Sequence, residues 1–388
     1  MGSRSIVALS LVMLGCGASG AASEATGACT YVEAGYGPPG EEQLVVEVVA
    51  KGLEVPWGVA FLPGGELLVT ERPGRVVVVG ADGQVSAPVA QPAIRAGSEG
   101  GLLGIALHPA FADNRFFYVY LTGEREGRAE NRIERWRLSE DLSTASLDRV
   151  VFSGIAAAQY HDGGRIRFGP DGMLYVGTGD GREPERSQDP KDPAGKILRL
   201  TPEGEVPADN PIAGSPAYVT GVRNSQGFDW LDDGSFVVTD HGPSGELNGW
   251  SGHDEVNVAR PGENLGWPRV HGCDPYAGAR APSLVWREAA PPGGAAVYRG
   301  SAIPGWRGAL VVATLRSEHL HVVRFDPNDA RARILNHAVY LAGDSGSGRL
   351  RDVVMGPDGK LYVTTSNCDG RGTCGADKDR ILRIAGTR

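Results

Sequence analysis

Apolar and polar positions alternate along this chain in short runs, and a cassette built on that alternation returns six times. Two copies are nearly superimposable, IRFGPDGMLYV at 166–176 and VVMGPDGKLYV at 353–363. Each is a β-rich run, a Pro-Asp-Gly turn and a second β-rich run, the pattern of an antiparallel hairpin. FLPGGELLV at 61–69 and FDWLDDGSFVV at 228–238 are degenerate copies, and LHPAFADNRFFY at 107–118 and IPGWRGALVV at 303–312 are looser ones. The turns fall near positions 64, 112, 171, 233, 306 and 358, a repeat of roughly 45–75 residues. That spacing suits four-stranded blades closed into a ring, which removes exposed sheet edges. Six copies predict an all-β, six-bladed propeller over 44–388. Such a ring gathers distant loops around a central channel on one face, so polar residues just beyond strand ends become the candidates for chemistry.

Composition supports the pattern. The 57 glycines and 26 prolines are dispersed at turns without collagen periodicity, which fits a turn-dense β fold better than disorder. A net charge of −9 with no basic stripe argues against a nucleic-acid partner. Arg4 precedes an apolar run at 6–14 and then Gly15-Cys16, which reads as an export leader too short to span a membrane. A small residue directly before the cysteine resembles a bacterial lipoprotein signal, with Cys16 lipidated; a plain secretory leader cut nearby is the alternative. Three segments are therefore expected: a leader at 1–16, a flexible tether at 17–43 and the propeller at 44–388. The expected location is the periplasm or outer membrane of a bacterium. Cys368 and Cys374 bracket a Gly-rich loop and are expected to form a disulfide in an oxidising space. Spacing leaves open whether Cys29 and Cys273 pair.

Polar residues cluster at the predicted strand ends. In chain order stand Pro56-Trp57, GLLG at 101–104, His161 with Gly164-Arg165, Gly195-Lys196, Asn210-Pro211, Arg223-Asn224, Gly242-Pro243, Asp254-Glu255, Asn264 with Gly266-Trp267-Pro268, and Arg349-Leu350-Arg351-Asp352. Any one is a weak signal; the ordered set resembles the soluble pyrroloquinoline-quinone (PQQ) dependent glucose and aldose sugar dehydrogenases. The resemblance covers roughly 44–388.

It implies a division of labour. His161 would be the general base, taking the proton from a sugar's anomeric hydroxyl as hydride leaves carbon, work that imidazole suits near neutral pH. Arg223 and Asn224 would face the cofactor's reactive carbonyl, with Arg223 stabilising the negative charge that develops there. Arg349 and Arg351 alternate on an extended segment, so both side chains point one way and suit the carboxylates of PQQ. Gly242 and Pro243 would offer main-chain carbonyls to a calcium ion that also binds the quinone. Glu255 and the Leu265 carbonyl would serve a second, structural calcium. Three positions depart from the resemblance. Arg316 stands where glucose-oxidising members carry lysine, Glu99 where glutamine is common near the substrate, and Tyr160 where some relatives have aspartate. A threonine expected before Tyr298 to touch the cofactor has no clear match.

The leading expectation is a PQQ- and calcium-dependent oxidation of aldoses to lactones, with electrons passed to an external acceptor. Two other classes compete. A propeller that had become a binding module would have lost the base or the arginines, and His161, Arg223, Arg349 and Arg351 are all in place. A calcium-dependent lactone hydrolase would centre its metal on carboxylate and Asn side chains and would have no use for clustered arginines.

Overall fold

The computed structural model describes Gly2 and residues 29–329, 333–343 and 347–388. Six sheets follow one another along the chain. Blade I holds Pro56–Phe61, Leu67–Glu71 and Arg75–Val79, and isolated bridges to Val85 and Ala90 stand where its fourth strand would lie. Blade II holds Leu102–Leu107, Phe116–Arg125, Arg128–Leu138 and Ala145–Ala156, and blade III Ile166–Phe168, Leu174–Gly177, Ile197–Leu200 and Ala217–Val219. Blade IV holds Gly227–Trp230, Phe236–Asp240, Asp254–Ala259 and Leu284–Trp286, and blade V Pro292–Val297, Leu310–Thr314, Leu320–Phe325 and Ile334–Tyr340. Blade VI completes Leu350–Met355, Leu361–Thr365 and Asp379–Thr387 with Leu44–Leu53 from the other end of the chain. That last pairing, Leu44 opposite Thr387 through Leu53 opposite Asp379, closes the ring. The fold is the six-bladed β-propeller that the repeat predicts.

The six cassettes are the first hairpin of each blade. The Pro-Asp-Gly copies show why the motif recurs. Asp171 and Asp358 each accept the amide two residues on, at 3.1 Å, and the hydroxyl of the tyrosine four residues on, at 3.0 and 3.1 Å. Gly172 and Gly359 take the left-handed conformation, with φ of 75° and 74°, that an L side chain resists. Apolar faces of these hairpins pack between blades, not within one central core. The described residues form six buried clusters, one at each blade-to-blade interface. Burial on both faces explains why many strands are uniformly apolar instead of alternating.

One expectation is corrected here. Within the segment 17–43 predicted as tether, Thr30–Val32 instead pairs in parallel with Leu284–Trp286 as a fifth strand of blade IV. Cys29 is disulfide-bonded to Cys273, and Pro39 bridges to Val339 of blade V. Short apolar and aromatic residues in 30–40 find an open sheet edge, which composition alone does not reveal. The leader and the rest of the tether lie outside the described residues. Cys368 and Cys374 are bonded as expected. No helix among the described residues is long and apolar enough to cross a membrane.

Candidate active site

Strand ends and loops of all six blades meet around a cavity of about 930 Å³. Its wall includes Trp57, Glu99, Tyr160, His161, Arg223, Asn224, Gln226, His241, Arg316, Arg349 and Arg351, together with Arg72, Arg182 and Arg371. Residues 250 positions apart in sequence thus share one space.

His161 enters on a left-handed backbone, φ 68°, after blade II. Its amide donates to Glu99 Oε2 at 3.0 Å and its ring Nδ1 lies 2.7 Å from Asp180 Oδ1. Asp180 comes from the end of blade III's second strand. It reaches the imidazole because Gly179 lets the two backbones touch: a Cβ there would stand 1.9 Å from the His161 carbonyl oxygen. Asp180 is fully buried and also accepts from Trp267 Nε1 at 2.9 Å and from the Arg182 amide at 2.7 Å. A carboxylate acceptor fixes the proton on Nδ1, which leaves Nε2 as the basic nitrogen of a cavity-lining side chain.

Arg223 and Asn224 hang from one buried carboxylate, Asp240, which takes their amides at 2.8 and 2.7 Å. The Arg223 guanidinium lies 5.3 Å from the Trp267 ring, so one tryptophan braces both the Asp180 carboxylate and this arginine. Asn224 accepts the Gly163 amide at 2.9 Å and stands 3.4 Å from both Glu99 and His241. His241 has its Nε2 2.7 Å from the Pro292 carbonyl, and burial pulls its pKa down to about 4, so it is neutral and serves as scaffold. Glu99 also meets Arg371 at 3.2 Å.

Arg349 and Arg351 point the same way, as alternation requires. Arg349 donates to Asp369 Oδ2 at 2.9 and 3.1 Å. Arg351 donates to Gln226 Oε1 at 2.6 Å and stands 3.7 Å from Asp369, while its buried Nε has no partner. Asp369 and Arg371 both sit inside the loop closed by Cys368 and Cys374, so that disulfide shapes the cavity wall. Burial, with Arg72 and Arg349 nearby, pulls the Arg351 pKa down to about 9 against the pull of Asp369. Arg316 lines the cavity with no ion-pair partner among the described residues.

Of the metal candidates, Gly242, Glu255 and Leu265 line a second, smaller cavity with Asp240 and His253 among others, and Pro243 is not in its wall. Glu255 is buried, accepts from the Gly272 amide at 2.8 Å and Asn257 Nδ2 at 3.2 Å, and is pushed up to about 8 by burial and the neighbouring Asp240 and Asp254. The Pro243 carbonyl accepts the Gly252 amide at 3.2 Å. Among the described residues, no three His, Cys, Asp or Glu side chains come together as a metal-binding set.

Asp180, Asp369 and Glu246 escape the sequence reading, while Gln226 and His241 stand in its polar stretches at strand ends without a role; all five lie in the wall or directly behind it. Asp180 and His241 follow strand ends, the same signal that marked His161; Asp369 carried only its place between paired cysteines.

The model of the Glucose / Sorbosone dehydrogenase family matches residues 53–382. The chain belongs to this family. The PQQ-bound aldose sugar dehydrogenase of Streptomyces coelicolor is similar in structure, with a TM-score of 0.78 and 37% identity over 89% of this chain and 98% of that one. Aldose sugar dehydrogenase YliI of Escherichia coli is 32% identical over 84% of this chain and 91% of its own length. Quinoprotein glucose dehydrogenase B of Acinetobacter calcoaceticus is 26% identical over 84% and 86%.

The residues present fit a polyanionic quinone. Arg349 and Arg351 share the Asp369 carboxylate, Arg72 donates to the Asp369 carbonyl, Glu99 is the other carboxylate acting on this cluster, Arg316 has no ion pair among the described residues, and Arg351 Nε lacks a hydrogen-bond partner. That surplus of buried positive charge calls for anionic ligand groups. At the second cavity the oxygens of Asp240 and Glu255 already accept N–H donors, so a hard cation there would have to share them with those bonds.

Proposed function

We propose that this protein is a PQQ- and calcium-dependent aldose dehydrogenase that converts the sugar to its lactone and passes electrons to an external acceptor. The observation that carries this reading is the His161–Asp180 pair at 2.7 Å opening on the same cavity as Arg223, Arg349 and Arg351. When bound, PQQ supplies the hydride acceptor. His161 Nε2 takes the proton of the anomeric hydroxyl, and Asp180 stabilises the imidazolium that results. Arg223 and Asn224 aim N–H groups at the place where negative charge collects. Arg349, Arg351 and Arg316 would hold carboxylates of the cofactor, and Glu99 would bound the space beside the base. Gly242 and Pro243 would hold one calcium through main-chain oxygens, and Glu255 with the Leu265 carbonyl a second.

The presence of His161, Arg223, Arg349 and Arg351 on one cavity speaks against the binding-module alternative, and their clustered arginines, for which a lactone hydrolase has no use, speak against the hydrolase. Two disulfides support export to an oxidising compartment. Lipidation at Cys16 would then tether the enzyme to a membrane, and mass spectrometry of the mature N-terminus tests it. The decisive experiment is to titrate purified apoprotein with PQQ, with and without calcium, then to follow dye reduction over a panel of aldoses. Saturable PQQ binding with sugar-dependent dye reduction is expected. Binding without turnover on any aldose would return the binding-module reading.

A further inference from the structure

The cavity holds one carboxylate for which the proton and hydride chemistry above has no use. Glu246 lies on the loop between Phe236–Asp240 and Asp254–Ala259, folded back on itself by a Ser244–Ser251 bridge and by the Gly245 amide donating to the Trp250 carbonyl at 2.7 Å. Its Oε1 receives Arg223 Nε and stands beside Nη2, both at 2.5 Å, and its Oε2 accepts the Ser244 amide at 2.7 Å. Arg223 Nη2 also donates to Ser244 Oγ at 3.3 Å. The pair is asymmetrically exposed: the Arg223 side chain is 2% accessible and that of Glu246 30%. Burial works against the Glu246 charge, but Arg223 and two amides outweigh it and keep the carboxylate ionised.

We propose that Glu246 is a positioning residue that aims the Arg223 guanidinium and sets how strongly it draws electrons onto the bound quinone. The proposal rests on the dehydrogenase reading and deepens it. Arg223 favours the reduced cofactor because that form carries more negative charge where the guanidinium points. A carboxylate on the same guanidinium offsets that field, and in a cavity partly shielded from water the offset is large. Reduction by sugar and reoxidation by the acceptor make opposite demands on the cofactor's potential. Glu246 therefore trades speed in the first half-reaction for speed in the second. The like charge beside an anionic ligand also weakens its binding.

The test is Glu246→Gln, which keeps an oxygen for Arg223 Nε and removes only the charge, beside Glu246→Asp, which keeps the charge on a shorter arm. Spectroelectrochemistry of the PQQ-loaded protein reads the midpoint potential, and titration of the apoprotein reads the PQQ dissociation constant. For Glu246→Gln a more positive potential, PQQ binding tighter by about tenfold, faster reduction by sugar and slower reoxidation are expected, with little change in melting temperature. Glu246→Asp is expected to keep a potential near wild type. An unchanged potential in Glu246→Gln, or a change confined to melting temperature, overturns the proposal while leaving the dehydrogenase intact. Wild-type protein that takes up no PQQ overturns the dehydrogenase reading itself, and this role with it.

Discussion

Replacing Arg351 with methionine separates cofactor binding from folding, because the two respond in opposite directions. In the ligand-free fold Arg351 is 5% exposed, with one good hydrogen bond, to Gln226 at 2.6 Å, a distant share of Asp369 at 3.7 Å and an unpartnered Nε. A guanidinium pulled down to about 9 from an ordinary value above 12 carries an electrostatic cost of about 4–5 kcal/mol, at about 1.4 kcal/mol per pH unit. Methionine removes that cost and fills the space, but it strands Gln226 Oε1 and takes one cation from Asp369, a loss of about 2–4 kcal/mol. Asp369 keeps Arg349. The apoprotein is therefore expected to be unchanged or up to about 3 kcal/mol more stable, a rise of a few degrees in Tm. PQQ binding, by contrast, loses a charge-assisted contact of about 1.5–3 kcal/mol, a Kd weaker by about 10–100-fold. The pH dependence gives a further check. Because the folded-state pKa is depressed, the unfolded chain binds more protons above about pH 9, so wild-type stability gains on the variant as pH rises from there. Thermal melts of both apoproteins and a PQQ titration measured by protein fluorescence decide the matter. Normal PQQ affinity with a Tm several degrees lower would refute the reasoning and make Arg351 a structural ion-pair partner.

Asp180→Asn should leave PQQ bound but cut turnover by about 10²–10⁴, because an amide no longer enforces the proton on His161 Nδ1; steady-state kinetics beside His161→Ala, with a similar loss, checks it. Replacing Cys368 and Cys374 together with serine should cost about 2–3 kcal/mol of stability and also weaken PQQ binding, since the freed loop carries Asp369; melts and titrations together test both. Lys196, buried and bonded to the Arg186 and Ala194 carbonyls, has its pKa pulled down to about 8 by burial. The unfolded state therefore binds more protons between about pH 8 and 10.5, stability rises with pH through that window by up to about 3 kcal/mol from this group, and Lys196→Met should flatten the slope in urea titrations at each pH.

How far the sequence reveals this molecule depends on whether a residue's role is local. The cassettes are legible because Asp171, Gly172 and Tyr175 satisfy one another within a few residues, and Asp358, Gly359 and Tyr362 repeat the arrangement. Repetition then gives blade number without any tertiary information. The short strand Thr30–Val32 is opaque for the opposite reason: its partner lies some 250 residues away, on a sheet edge whose vacancy no local pattern marks. His161, Arg223, Arg349 and Arg351 stand out because they fall beside predicted strand ends and match a family's order. Asp369 and Glu246 do not, since each matters only through an arginine brought to it by ring closure or by a loop turning back.

That asymmetry bears on which part of the functional reading is firmest. Charges that act on a ligand sit at strand ends, where sequence finds them; charges that tune those charges sit in loops, where it does not. His161 Nδ1 and Asp180 Oδ1 are brought to 2.7 Å by the loop that joins blades II and III and a loop within blade III, so the proposed proton removal rests on ring geometry. Electron affinity at the cofactor instead depends on how each arginine is shared, Arg223 with Glu246 and Arg349 and Arg351 with Asp369. Two propellers with the same base and the same arginines can therefore share a reaction and differ in potential.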